Sequence, residues 1–200
     1  MRIRELLSTS SGGIDPTTGR GMIGKYEVVD LGLPSGLLWA TCNVGATREA
    51  IYGDFYMYGK GAQTYYYEDS EYEGMENPLA SSVDTATQVM GSGWRMPTQT
   101  ELNELINNTA FSLYTIDGRY GGKFTSKTNP NAYVFFPFAG NYIDGNYQSY
   151  NRHCNVWSST PKDNSNSYAF YCGDGYPSSP YKGVSDSPRN YGFSVRGVHT

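Results

Sequence analysis

The chain has 200 residues, a formal net charge of −4 and a sequence pI near 5.1. It is long enough for one sizeable domain and offers no cationic surplus for a phosphate backbone, so nucleic acid is not an expected partner. Charged residues are only 17%, while Tyr (19) and Gly (24) are used heavily, which excludes the disordered class, poor in aromatics, and suits a loop-rich fold with Tyr inside and outside.

Residues 1–24 are rich in Ser, Thr and Gly and read as an N-terminal extension or linker ahead of a single domain, 25–200. Its opening MRIRELLSTSSGG has too short an apolar stretch for a secretory signal. No run approaches the roughly 20 apolar residues that span a bilayer, so no membrane insertion is expected. Tyr26–Leu31 and Leu37–Ala40 flank Pro34-Ser35-Gly36, where Gly36 can take a positive φ, and predict an opening β-hairpin. Tyr52–Tyr72 is dense in Tyr and Gly without a period and is expected to be irregular. Asp84 can cap a short helix to Met90, stopped by Gly91-Ser92-Gly93. The clearest helix starts at Thr98, with Glu101 completing a capping box and Leu102, Leu105 and Ile106 forming one apolar stripe.

From Tyr120 onward the pattern is β, with strands expected at Lys123–Thr125, Ala132–Phe138, Val156–Thr160, Ser167–Tyr171 and Gly192–Val198. Val134-Phe135-Phe136 reads as buried on both faces. The last strand reads as half-buried, with Phe193 and Val195 inward and Ser194, Arg196 and Val198 outward. The expected class is therefore α+β: two helices packed on short antiparallel β-sheets, with long loops. Trp157, Phe135, Phe193 and the Leu102 stripe are the expected core.

Reactive groups are sparse. His153 reads as a surface residue and His199 as a chain end; Cys42, Cys154 and Cys172 form no disulfide framework or zinc spacing, with a Cys154–Cys172 bridge left open. Cys42 reads as a small buried apolar residue. Gly118–Gly122 is a turn too short for a phosphate loop. No catalytic residue, cofactor or metal is assigned, although Asp54 or Asp69 is left open as ligand to a structural ion.

Four blocks stand in order: YEVVDLGLPSGLLWATCNVGA (26–46), GWRMPTQTELNEL (93–105), VWSSTP (156–161) and GFSVRGV (192–198). Together they resemble a Bacteroides-type bacterial family that includes the Fibrobacter major paralogous domain and the variable proteins of diversity-generating retroelements. The resemblance implies a C-type lectin-like fold, similar to that of formylglycine-generating enzymes, with a C-terminal region, about 140–191, rewritten at adenines by an error-prone reverse transcriptase. Randomised AAC codons cannot yield Trp, Met, Gln, Lys or Glu. After Gly140 there is no Glu and no Met, and of those types only Gln148, Trp157, Lys162 and Lys182 occur. On this reading the variable, ligand-binding surface comprises Tyr142, Asp144, Asn146, Tyr147, Tyr150, Asn151, Arg152, His153, Asn155, Tyr168, Phe170, Asp174, Tyr176, Tyr181, Asp186, Asn190 and Tyr191. Tyr supplies large amphipathic contacts at low entropy cost, and Ser, Gly and Asn supply adaptable hydrogen bonds, as in antibody loops.

The resemblance does not carry the oxidase activity of formylglycine-generating enzymes, which needs a reactive cysteine pair, nor the calcium-dependent sugar site of C-type lectins, whose carboxylates are missing at Asn129-Pro130-Asn131 and Trp157-Ser158. The expected function is non-enzymatic recognition of a protein or glycan on a cell surface. The expected location is a phage virion (tail) or a bacterial cell surface. The alternatives are an undiversified surface adhesin or lipoprotein domain and, remotely, an oxidase.

Overall fold

The computed structural model describes residues 13–62, 64 and 76–200. Residues 1–12, 63 and 65–75, with Asp69 and much of the Tyr/Gly-rich segment, lie outside the described residues. Residues 20–23, read above as part of the extension, are not a linker: they form β1 (Arg20–Ile23), antiparallel to β2 (Tyr26–Asp30). β2 turns through the Pro34-Ser35-Gly36 segment into β3 (Leu38–Asn43), as the hairpin pattern predicts.

Two helices follow. In α1 (Thr85–Met90) the Asp84 carboxylate caps by accepting from the Thr87 amide and also accepts from the Met96 amide. After the two-residue β4 (Trp94–Arg95) comes α2 (Gln99–Asn108), whose capping box between Thr98 and Glu101 is complete. Arg95 donates to both Glu101 oxygens at 2.6 and 2.7 Å. Against the effect of burial, these donors hold the Glu101 carboxyl below its ordinary range.

The remainder is β: β5 (Thr109–Ile116), β6 (Arg119–Ser126) and β7 (Tyr133–Pro137) form one sheet. The hairpin β8 (Asn141–Ile143) and β9 (Asn146–Gln148) precedes a second sheet of β10 (His153–Pro161), β11 (Asn166–Gly173) and β12 (Tyr181–Pro188). β13 (Arg196–His199) returns to sit between β3 and β4, giving the five-stranded order β1-β2-β3-β13-β4.

The α+β, C-type lectin-like architecture of two helices on short sheets is therefore overturned: the fold is 45% strand, with several antiparallel sheets and, among the described residues, only two short helices. α1 buries only Thr85 and Ala86, and α2 only Leu102 and Leu105, too little to form a helical layer. Segment 109–116, not expected as a strand, turns Phe111 and Leu113 to the core and Ala110, Ser112 and Tyr114 to water. Segments 141–148 and 181–188, without a clear apolar period, become strands because hairpin pairing satisfies their backbone.

The sheets share one core in which Leu102 and Leu105 meet Phe124, Val134, Phe136, Val156 and Phe170. A second cluster centres on Trp157, stacked on Phe193 at 4.3 Å and edge-on to Tyr58, its indole N–H donating to the Tyr56 carbonyl at 2.8 Å. Cys154 and Cys172 are buried cross-strand partners, both free, with sulfurs 3.2 Å apart.

The closing strand corrects the half-buried expectation. Ser194, bridged to Val156, and Arg196 and Val198, on a strand between β3 and β4, are all buried. The Arg196 guanidinium donates all five N–H groups: to the Ala40, Thr41 and Phe135 carbonyls and twice to Asn43 Oδ1, at 2.8–3.0 Å. It also lies 4.5 Å over the Phe136 ring. Burial, with no ion pair among the described residues, pushes its pKa down to about 10, so it stays charged at neutral pH.

Arg196→Met and Arg196→Lys are both expected to lower stability by about 3 kcal/mol or more in urea unfolding, because neither replacement fills the fork of acceptors. Trp157→Ala is expected to cost about 3–5 kcal/mol by the cavity it opens, whereas Tyr150→Ala, at an exposed site, should leave the midpoint nearly unchanged.

Candidate recognition surface

Three of the four non-glycine residues with positive φ among those described, Asp144, Ser149 and Asn151, fall within eight residues of the tract. Asp144 and Gly145 (φ 49° and 75°) form the tight turn that suits a two-residue hairpin. Gly140 is required where β8 leaves the core: a Cβ there would lie 2.2 Å from the Gln148 carbonyl of the returning strand. Ser149 and Asn151 in the left-handed region place Tyr150 on an exposed kink held over the core edge, where the Asn151 amide donates to the Phe138 carbonyl.

The side chains from this hairpin form one continuous aromatic face. Tyr142 and Tyr147 are stacked at 5.0 Å, and Tyr147 meets Tyr150 at 5.9 Å. Phe55 packs edge-on against both Tyr142 and Tyr147, and Tyr52 against Tyr150. Arg119 donates to the Tyr150 hydroxyl at 2.8 Å and lies over the Tyr52 ring, while the Tyr52 hydroxyl donates to Asn151 Oδ1 at 2.9 Å. Burial pushes the Tyr52 and Tyr147 phenols up to about 12, so both remain hydrogen-bond donors at neutral pH. Tyr52, Phe55 and Arg119 lie outside the tract and were missed by sequence reasoning. The aromatic density after Tyr52 was the available signal; Arg119, in an Asp-Gly-Arg-Tyr turn, gave none.

Past Tyr150 the surface drops into a groove of about 400 Å³. Arg152 lies over the Tyr176 ring, donates to the Tyr176 carbonyl at 3.1 Å and pairs with Asp174 at 3.5 Å. His153 and Tyr181 line the same groove, and Tyr181 meets Tyr171 at 5.8 Å. Asp144 and Asn146 are exposed on the hairpin, and Asn155 is half-buried beside Tyr171 in the register.

The other candidates do not join this face. Phe170 is fully buried against Phe124 and Phe136, because it shares a strand face with Cys172 and not with Tyr171. Tyr168 and Asp186 are cross-strand partners toward the far end of the sheet, with Lys162 paired to Asp186 at 2.9 Å. Tyr168 lies five residue steps before Gly173, the neighbour of groove-lining Asp174, about 17 Å along a strand. Tyr191 packs inward against Phe193, and Asn190 is half-buried in the turn beside it.

Elsewhere, Cys42 is half-buried and lines a cavity rather than sitting in the core. Among the described residues, no group of three or more His, Cys, Asp or Glu is placed to hold a metal ion, and no helix is long and apolar enough to cross a membrane.

Burial pushes the His153 pKa below its ordinary value, opposed by Asp174. Folding therefore favours the neutral ring, whereas the unfolded chain takes up a proton from about pH 6.5 downward. Stability is expected to fall as pH drops from about 7 toward 5, above the carboxylate range. In thermal melts His153→Gln should flatten that slope; an unchanged slope would remove His153 from the account.

No family model, curated protein or solved structure matches this chain.

Proposed function

We propose that this protein is a non-enzymatic recognition protein whose exposed face at 142–152 and 174–181 binds a protein or glycan on a cell surface, and that a retroelement diversifies the tract. The observation that carries the reading is the coherence of that face. Tyr147, Tyr150, Tyr176 and Tyr181 are 40–73% exposed, yet the face they form is held by ring contacts, by hydrogen bonds and by Arg119 and Arg152. Large apolar side chains left in water without a partner cost free energy; arranged rigidly on one face they lose little further entropy on binding. Cys154 and Cys172, buried beside His153 and Gly173 on the strands that lead into the groove, carry the packing there, so the outward positions can change without opening the core. A phage tail or a bacterial surface is the setting we infer for such a binder.

A second reading, an adhesin with one fixed ligand, is favoured by a specific feature: Tyr150 and Asn151 in the tract are hydrogen-bonded to Arg119 and Tyr52 outside it. The gene decides between the two. A nearby template repeat that differs only at adenines, beside a reverse-transcriptase gene, is expected for the first; an invariant tract among close strains, for the second.

Binding itself is tested by panning the purified chain against bacterial cells. Tyr150→Ala and Tyr181→Ala are each expected to weaken capture roughly tenfold, as hot-spot aromatics do, while shifting Tm by no more than about 2–4 °C. Undiminished capture by both variants would reject this face as the binding site.

A further inference from the structure

Away from the recognition face, a second cavity of about 710 Å³ opens between β1–β3, the Val44–Glu49 segment and the C-terminal end of α1. Its size is that of a small-molecule site, ordinarily about 300–1,000 Å³. Ala40 and Val44 lie in its floor, and Met22 and Val89 stand in its walls at 42% and 36% exposure. Among the described residues only three non-aromatic large hydrophobics are exposed, and two of them line this cavity. The Tyr26 hydroxyl closes one side by donating to the Val89 carbonyl at 3.1 Å.

The charges at the mouth are unequal. The lining carboxylates Glu27 and Glu49 are both taken up by Arg20, outside the cavity, and the lining Arg48 pairs with Asp117. Lys25 lies over the Tyr26 ring at 5.2 Å and forms no ion pair among the described residues. The geometry points to an amphiphile with a single aliphatic tail and a carboxylate head: the tail against Met22, Val89 and Met90, the head at Lys25. Methionine walls adapt to an unbranched chain, and each buried methylene contributes about 0.8 kcal/mol. A concave cavity of this volume with an aliphatic wall suits such a chain better than it suits a flat protein surface.

Cys42 in the lining provides the readout, because Cys154 and Cys172 are 1% and 0% exposed and should stay unlabelled in the folded protein. Burial raises the Cys42 thiol pKa, so labelling with iodoacetamide is best run near pH 8.5. Dodecanoate below its micellar concentration is expected to slow the single-adduct rate about fivefold, in proportion to the free cavity left. Lys25→Ala and Met22→Asp should abolish the protection, with Val89→Asp in the lining as substitute should Met22→Asp fail to fold. Dodecyltrimethylammonium, with the same tail and a cationic head, should protect weakly. An unchanged rate with dodecanoate, equal protection by the cationic amphiphile, or slowing by protein concentration alone, the mark of a second copy in the cavity, would each overturn the assignment.

Discussion

A charged guanidinium sealed inside the protein fixes how the sheets meet. Arg196 reaches β3 through the Ala40 and Thr41 carbonyls and Asn43, and β7 through the Phe135 carbonyl, while its own strand closes the five-stranded sheet. Burying a cation without a carboxylate is costly, and the cost is offset only because all five N–H groups find acceptors at once. The arrangement is therefore all-or-none: a shift of one strand by one residue would strand several acceptors together. The same hub extends outward, because the Asn43 side-chain amide donates to the Tyr52 carbonyl at 2.9 Å. That bond ties the segment carrying Tyr52 and Phe55 to the deepest part of the core.

Around this hub the molecule separates two duties. Packing falls to Trp157, Phe170, Phe193 and Phe124, rings that are almost wholly excluded from water. The outward duty falls to tyrosines that keep one surface wet while their edges rest on each other. β11 shows the division at the level of single residues: Phe170 and Cys172 point into the core, and Tyr171 between them turns to the Asn155 side. The period of two along a strand places opposite duties on adjacent positions.

Much of this was legible in the sequence, where local chemistry and tertiary demand agree. The hairpin around Pro34–Gly36, both helix caps and the strands centred on Phe135 and Trp157 follow from turn, capping and apolar patterns. The class was misread because two well-signalled helices weigh heavily in a sequence, although together they bury few residues. The strands at 141–148 and 181–188 were hidden because polar faces leave no period, and their pairing is set by hairpin geometry. Phe170 was misplaced for the converse reason: strand parity is decided by partners, and a sequence does not name them. Arg196 read as an outward residue, since nothing local announces that five acceptors wait for it.

The recognition face is not made wholly of tract residues. Arg119, Tyr52 and Phe55 lie on β6 and on the segment leading away from β3, and they supply a cation and two rings at one edge of the patch. On the proposed reading, in which the neighbouring hairpin is rewritten, every version of the surface would inherit that same corner. A partner bound there would have to tolerate a guanidinium flanked by aromatic edges, so the proposed repertoire would be a set of variations around a shared anchor point, biased in chemistry from the start.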